Sequence, residues 1–376
     1  MSTIAPERPK ADETVTQELL ISSDSHVHFT DEWVKERMSK KLQGRWDEAK
    51  AKAADHNEKV QRKGQPQLSM EDFVELEAAM DPGHFEPHAK LAAMDRDGVL
   101  AEIIFPEVNA MGLCSPDNMG EDWKEGVSAF NQSMLDFASI NPNRLLSAYQ
   151  LPLYDIEFAI EQVYKVAKQG ARCVQVPTFP SERGLPDVNH PRYNPLWDAL
   201  SDTGLTLLNH LEMKESIWDI FSRDPTPQKG IMTSQPSIAM SEAIAFWILT
   251  GTLDRFPKLK VILIEPALGW LPWYLGLLDN RMNLHYKFPD LKRKPSDVFK
   301  QQMGATFMDE PAGLKLAYDA FGPECLFWST DFPHPATCWP NSQRQVKEQF
   351  AKAGIPEADR RKIVYENARK TFGLGA

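Results

Sequence analysis

The chain has no uninterrupted apolar stretch of the roughly 18 residues that a membrane helix requires. Basic residues are in deficit: 42 Lys and Arg against 53 Asp and Glu leave a net charge of -11, so a nucleic-acid binder, which usually shows a basic patch or stripe, is not expected. The four cysteines, Cys114, Cys173, Cys325 and Cys338, show neither zinc-ribbon nor CxxC spacing. That excludes a disulfide framework and points to a reducing compartment. The N-terminus, MSTIAPERPKADETVTQ, lacks the apolar core of a secretory signal. These absences lead us to expect a cytoplasmic protein with a small-molecule partner, no nucleic acid and no membrane. The composition itself, 42% hydrophobic and 25% charged over 376 residues, is that of an ordinary globular chain.

Eight short apolar runs rich in β-branched and aromatic residues recur along the sequence. They fall at 19–27, 101–106, 145–151, 171–177, 205–210, 260–266, 304–310 and 325–331. Helical periodicity fills most of the gaps, notably 155–169, 193–203, 237–255, 312–320 and 356–372. Eight strands alternating with helices is the count that closes a (β/α)8 barrel. An open doubly wound sheet would need a glycine-rich phosphate loop after its first strand, and residues 24–28 contain no glycine. The expected fold is therefore α/β, a distorted (β/α)8 TIM barrel spanning 18–376. Two segments fall outside the pattern: a flexible tail or arm at 1–17, and an insertion after strand one at 31–83. The insertion carries a charged run and reads as a solvated helix or a lid over the barrel mouth.

In such a barrel the C-terminal strand ends face the active site. Strand one supplies His26 and His28, strand five His210, strand six Glu265, strand seven Asp309 and Glu310, and strand eight Asp331. His26 and His28 are two residues apart on a strand and so project to one side. With His210 and Asp331 they make a donor set for one divalent metal ion, zinc first, manganese or iron as alternatives, with a position left open for water or substrate. Asp331 beside the ion would serve as proton carrier. Trp270, Trp273, Phe332 and Trp339 lie near strand ends six and eight. Trp270 and Phe332 are candidate substrate contacts, although large aromatics there equally suit a subunit interface. His334 either reaches the substrate or braces its loop.

The segments DSHVH at 24–28, LNH at 208–210, WSTDFPHP at 328–335 and NARKTFGL at 367–374, in this order and spacing, resemble the amidohydrolase superfamily. KLAAMDRDGVLAEIIFP, TLDRFPKLKVILIE and GWLP support this. The nearer resemblance is to the branch containing aminocarboxymuconate-semialdehyde decarboxylase and gamma-resorcylate decarboxylase. It implies a distorted barrel and puts the metal ligands on His26, His28, His210 and Asp331. Two departures stand out. Pro266 occupies the place where many members carry a histidine after strand six, and strand four (172–176) has no lysine to carboxylate.

The resemblance implies a metal-dependent decarboxylase or hydrolase acting on a small cyclic or aromatic carboxylate. Glu265 beside Pro266 stands as a second catalytic candidate, as a proton carrier or a ligand to a further ion. If it holds a second ion, a dinuclear iron or iron–manganese oxygenase is the alternative. The lost histidine also leaves open a non-catalytic partner subunit. A homodimer or larger homo-oligomer, with room for a homologous subunit, is the expected assembly.

Overall fold

The computed structural model describes residues 17–61, 81–107, 110–221, 223–226, 229–284, 291–334 and 336–375. Nearly all of the 1–17 tail, the later part of the 31–83 insertion and His285 lie outside these residues. Eight strands form one parallel sheet in chain order: β1 (Leu20–Val27), β2 (Val99–Pro106), β3 (Leu145–Gln150), β4 (Cys173–Gln175), β5 (Thr206–His210), β6 (Val261–Ile264), β7 (Met303–Phe307) and β8 (Leu326–Trp328). The expected barrel is present, with each apolar run supplying one strand and the helices falling between them. β4, β6, β7 and β8 stop two or more residues before their runs do, because the trailing residues have already turned into a mouth loop, whereas β2 starts two residues ahead of its run.

The sheet closes between β8 and β1. His26 N donates to Phe332 O at 2.6 Å, Asp331 N donates to Asp24 O at 3.1 Å, and Ser25 bridges to Phe332 in parallel register. The segment just past β8 is thereby fastened to the end of β1, and this seam sets Asp24, His26 and Asp331 side by side.

Alternation along the strands sorts the side chains into two cores. Ala101, Ile103 and Phe105 of β2 point inward with Ile21, Leu146, Ala148, Cys173, Leu208, Ile262, Ile264 and Phe327 to fill the barrel. Ala368 and Phe372, at the end of the C-terminal helical segment, join this inner core beside Ile21 at the start of β1. They plug the face opposite the mouth. The outer core lies between sheet and helices, built around Trp197, Trp247, Trp328, Phe130 and Phe299, all essentially inaccessible to water. Each such side chain contributes about 1.5–3 kcal/mol. Cys114, Cys173 and Cys325 are free and buried. Burial pushes the thiols of Cys114 and Cys325 up to about 12, which makes them packing groups and not nucleophiles.

Within the insertion, two helices are described, Asp31–Lys35 and Lys40–Gln61. The second is not solvated on all sides: Leu42, Trp46 and Ala49, at helical spacing, are buried. Trp46 stacks on Phe130 at 6.5 Å and donates from its indole N–H to Asp31 at 3.1 Å. No described helix is long and apolar enough to cross a membrane.

Candidate metal centre and active site

The residues 22–25 of β1 are fully buried, and its pairing with β2 shifts register between Ser22 and Ser25. Below the site, Lys90 donates to the Ser25 hydroxyl and pairs with Glu102 at 2.8 Å, while Ser25 donates to Glu102 at 2.7 Å. This neutralised buried network fixes the strand from beneath. Asp24 and His26, two residues apart, then face the barrel axis together.

Opposite them stand His210 at the end of β5, Glu265 just past β6, and Asp331 just past β8. His26 Nε2 lies 3.5 Å from Asp24 Oδ1 and 3.2 Å from Asp331 Oδ1. His210 Nε2 lies 3.5 Å from Asp24 Oδ1 and 3.9 Å from Glu265 Oε2. One ligand atom from each of Asp24, His26, His210 and Glu265 falls within 4.8 Å of the others. Both oxygens of Asp24, both ring nitrogens of His26 and Nε2 of His210 are buried with no hydrogen-bond partner. Leaving such atoms unsatisfied costs roughly 1–3 kcal/mol each. The separations of 3.2–3.5 Å among His26, His210, Asp24 and Asp331 match the edges of a coordination shell with bonds of about 2.1 Å, roughly 3–3.6 Å, and Glu265, 3.9 Å from His210, stands just outside that range. Two imidazoles and two carboxylates therefore fit a divalent ion.

A second layer of acids and imidazoles adjoins this set. His334 contacts Asp331 Oδ1 at 2.8 Å through Nδ1 and Glu107 Oε1 at 2.9 Å through Nε2. Glu107 also lies 3.2 Å from His84 Nε2 and 3.6 Å from His26 Nδ1. The groups His26–Glu107–His334 and Glu265–Asp331–His334 each have metal-binding geometry as well. Burial alone would lower the His334 pKa, but its hydrogen bonds to Asp331 and Glu107 push it up to about 12. His210 is opposed by burial in the same way and raised to about 9 by the Asp24 charge. Burial, followed by the charges of Asp331 and Asp24, lifts Glu265 well above the carboxylate range. For Asp331 burial is outweighed by His26 and His334, which hold it well below that range.

The backbone is bent to make this site. Four described non-glycine residues have positive φ, and among them are Glu265 (59°), Ala267 (56°) and Asp331 (53°). Each costs about 1–2 kcal/mol relative to a right-handed conformation. Such strain persists where surrounding contacts hold it, typically around a functional group.

Of the residues nominated from sequence, His26, His210, Glu265, Asp331 and His334 are thus gathered in one place. His28 is not among them. β1 ends at Val27, and His28 N donates to His84 O at 2.8 Å. Its ring faces those of Phe85 at 5.5 Å and His84 at 5.9 Å. Asp24 stands in its place, satisfying the same two-residue rule on the other side of His26. Glu107 was also missed, although it directly follows β2 and the strand-end criterion would have reached it. Trp270 is half-buried beside the Glu265 turn and donates to Pro266 O at 2.7 Å. Phe332 is enclosed between Trp339, 5.1 Å away, and Lys90, whose Nζ sits 4.2 Å above its ring. Trp273 is 69% exposed on the outside of the barrel.

A family model described as amidohydrolase matches residues 23–374. The chain belongs to the amidohydrolase family. The resemblance read from DSHVH, LNH and WSTDFPHP is borne out, and with it the reading as an enzyme of this family. A gamma-resorcylate decarboxylase of Rhizobium sp. is 26% identical over 263 residues, 65% of this amidohydrolase chain and 75% of that protein. Crystalline 5-carboxyvanillate decarboxylase from Sphingomonas paucimobilis matches with a TM-score of 0.67 at 19% identity, covering 95% of this chain and 99% of the other. Dihydroxybenzoic acid decarboxylase from Polaromonas sp., solved with bound manganese and the inhibitor 2-nitroresorcinol, also gives 0.67, at 20% identity over 95% and 97%. Likeness at these identities establishes the fold. The ion named there is manganese; zinc, placed first from the donor set, is not singled out.

Proposed function

We propose that this amidohydrolase is a metal-dependent decarboxylase of small aromatic carboxylates, with phenolic acids as the first substrates to test. The observation that carries the proposal is the convergence of partnerless buried donors from Asp24, His26 and His210. The decarboxylases named among its relatives support the choice of reaction. In this reading Asp24, His26 and His210 hold the ion, with Asp331 and Glu265 completing the shell; His28 lies outside it. A divalent ion such as manganese bound there would supply positive charge that stabilises negative charge on the substrate.

The rest falls to the chain itself. Trp270 and His334 contact the substrate, and the described helices of the insertion, the first of which starts at Asp31 just past β1, serve as the lid in this reading. Asp331, held ionised by His26 and His334, takes up the proton of His334 and passes it to the ring carbon as the bond to the carboxyl carbon breaks. The bonding pair stays with the ring carbon and captures that proton, and carbon dioxide leaves. His334, hydrogen-bonded to Asp331 and protonated at neutral pH, is the source of that proton. Hydrolysis would use the same carboxylate in the opposite sense, taking a proton from water. His210→Ala should abolish manganese binding and carbon dioxide release together; full activity in that variant rules the site out.

A second reading, a two-ion centre, has one specific observation in its favour. Glu265 belongs to both the Asp24–His26–His210 group and the Asp331–His334 group. Elemental analysis giving close to two ions per chain, iron included, would favour it and direct attention to oxygen chemistry; one ion per chain excludes it. Self-association into a homodimer or larger assembly is part of the proposal, supported by helix Pro236–Leu249, which is apolar on nearly every side, and by the exposed Ile238 and Trp273.

A further inference from the structure

Glu310 ends the β7 run and belongs to none of the metal-binding groups. Its carboxylate reaches across to the neighbouring loop, accepting from Leu268 N at 2.7 Å and also from Gly269 N. That loop begins at Glu265 and includes two non-glycine residues in left-handed conformation, Glu265 and Ala267. The remaining anchors are neutral. Glu265 N donates to Thr306 Oγ1 at 2.9 Å, Ser237 Oγ donates to Glu265 O at 3.2 Å, and the Trp270 indole closes on Pro266 O.

The packing around this carboxylate leaves no slack. A Cβ added at Gly313 would collide with Glu310 Oε2 and stand 2.9 Å from Gly269 N, while one added at Gly269 would meet Gly313 Cα at 3.5 Å. Gly313, in the first turn of helix Pro311–Phe321, thus lets that helix approach the turn until the carboxylate can span the gap. A strained turn keeps its shape only if its surroundings determine it, and a carboxylate accepting two adjacent backbone N–H groups is a strong determinant.

We propose that Glu310 is the positioning residue for Glu265, clamping the Pro266–Gly269 turn so that the Glu265 carboxylate stays directed at His210, Asp331 and His334. The inference rests on the reading of Glu265 as a metal-site group. Glu310 touches neither substrate nor ion; it acts through the turn. Glu310→Gln keeps the size but turns an amide N–H₂ toward one of the two backbone donors, and Gly313→Ala displaces the carboxylate without removing its charge.

The test is manganese titration of metal-stripped full-length chain, followed by the electron paramagnetic resonance of free and bound Mn(II), with the melting temperature measured in EDTA. E310Q and G313A should each weaken manganese binding at least tenfold and alter the bound-ion spectrum, as E265Q should, with E310Q melting in EDTA close to wild type. If E265Q weakens binding while E310Q and G313A bind as wild type, the positioning role is overturned. The same holds if E310Q melts far below wild type in EDTA but retains its affinity. If E265Q itself binds as tightly as wild type, the metal-site reading of Glu265 fails, and this proposal fails with it.

Discussion

At the scale of single residues, the choice between Asp24 and His28 is the sharpest point. Spacing on a strand cannot separate them, since both lie two residues from His26. What separates them is where β1 stops, and strand ends are the least legible feature of a sequence. The structure gives Asp24 two buried, partnerless oxygens and gives His28 a place against His84 and Phe85. Asp24→Asn should therefore weaken manganese affinity at least tenfold, whereas His28→Ala should retain wild-type stoichiometry. Calorimetric titration of both variants checks this, and the opposite ranking would restore His28 to the shell. His26, His210, Glu265, Asp331 and His334 were legible because barrel strand ends converge on one face whatever the loops do. Glu310 was legible as a strand-end acid but not as a clamp, because its partners are backbone groups of another loop.

At the scale of elements, two contacts between neighbours carry measurable consequences. Gly304 on β7 lies under Phe327, and an added Cβ would stand 2.5 Å from that ring and 3.0 Å from Cys325 O. Gly304→Ala should cost about 1–3 kcal/mol through overpacking, read by chemical denaturation; an unchanged midpoint would mean that the inner core has room to spare. The second contact joins the end of helix Pro87–Asp97 to the start of helix Ser342–Ala353. There Asp97, 2% exposed, accepts from Ser342 N at 2.8 Å and Ser342 Oγ at 2.6 Å. Burial nevertheless raises its pKa from 3.8 to about 6. The folded chain then holds a proton that the unfolded chain has lost between these values, so this residue's contribution to stability falls as pH rises from about 4 to 6. The difference amounts to about 3 kcal/mol. Asp97→Asn removes that slope, and the stability of the variant relative to wild type should climb over this interval and level off above it. A difference that stays flat from pH 4 to 7 would show that Asp97 does not titrate there.

At the scale of the molecule, the eight-strand count was legible because most strands are buried on both faces and so read as largely apolar runs, β1 with its buried residues 22–25 being the polar exception. The insertion was less legible. Its charged sequence suggested a solvated helix, but Leu42, Trp46 and Ala49 recur at three- and four-residue intervals within it and are buried, with Trp46 stacked on Phe130. The outer surface carries the remaining expectation. Trp273 is 69% exposed and Ile238 54% exposed, and burying such groups between copies is favourable at about 25 cal/mol per Å². Trp273→Glu should shift sedimentation toward smaller species; a wild-type chain that sediments as a monomer at all concentrations would rule out self-association.

The central claim, a decarboxylase built on Asp24, His26 and His210, is tested most directly by one assay. Manganese-loaded chain is incubated with 2,6-dihydroxybenzoate and with 5-carboxyvanillate, and released carbon dioxide is measured against the phenol formed. The account predicts equimolar release with at least one of these acids, lost in His210→Ala. No release from either acid by chain with a full complement of manganese, or release that survives the substitution, would contradict it.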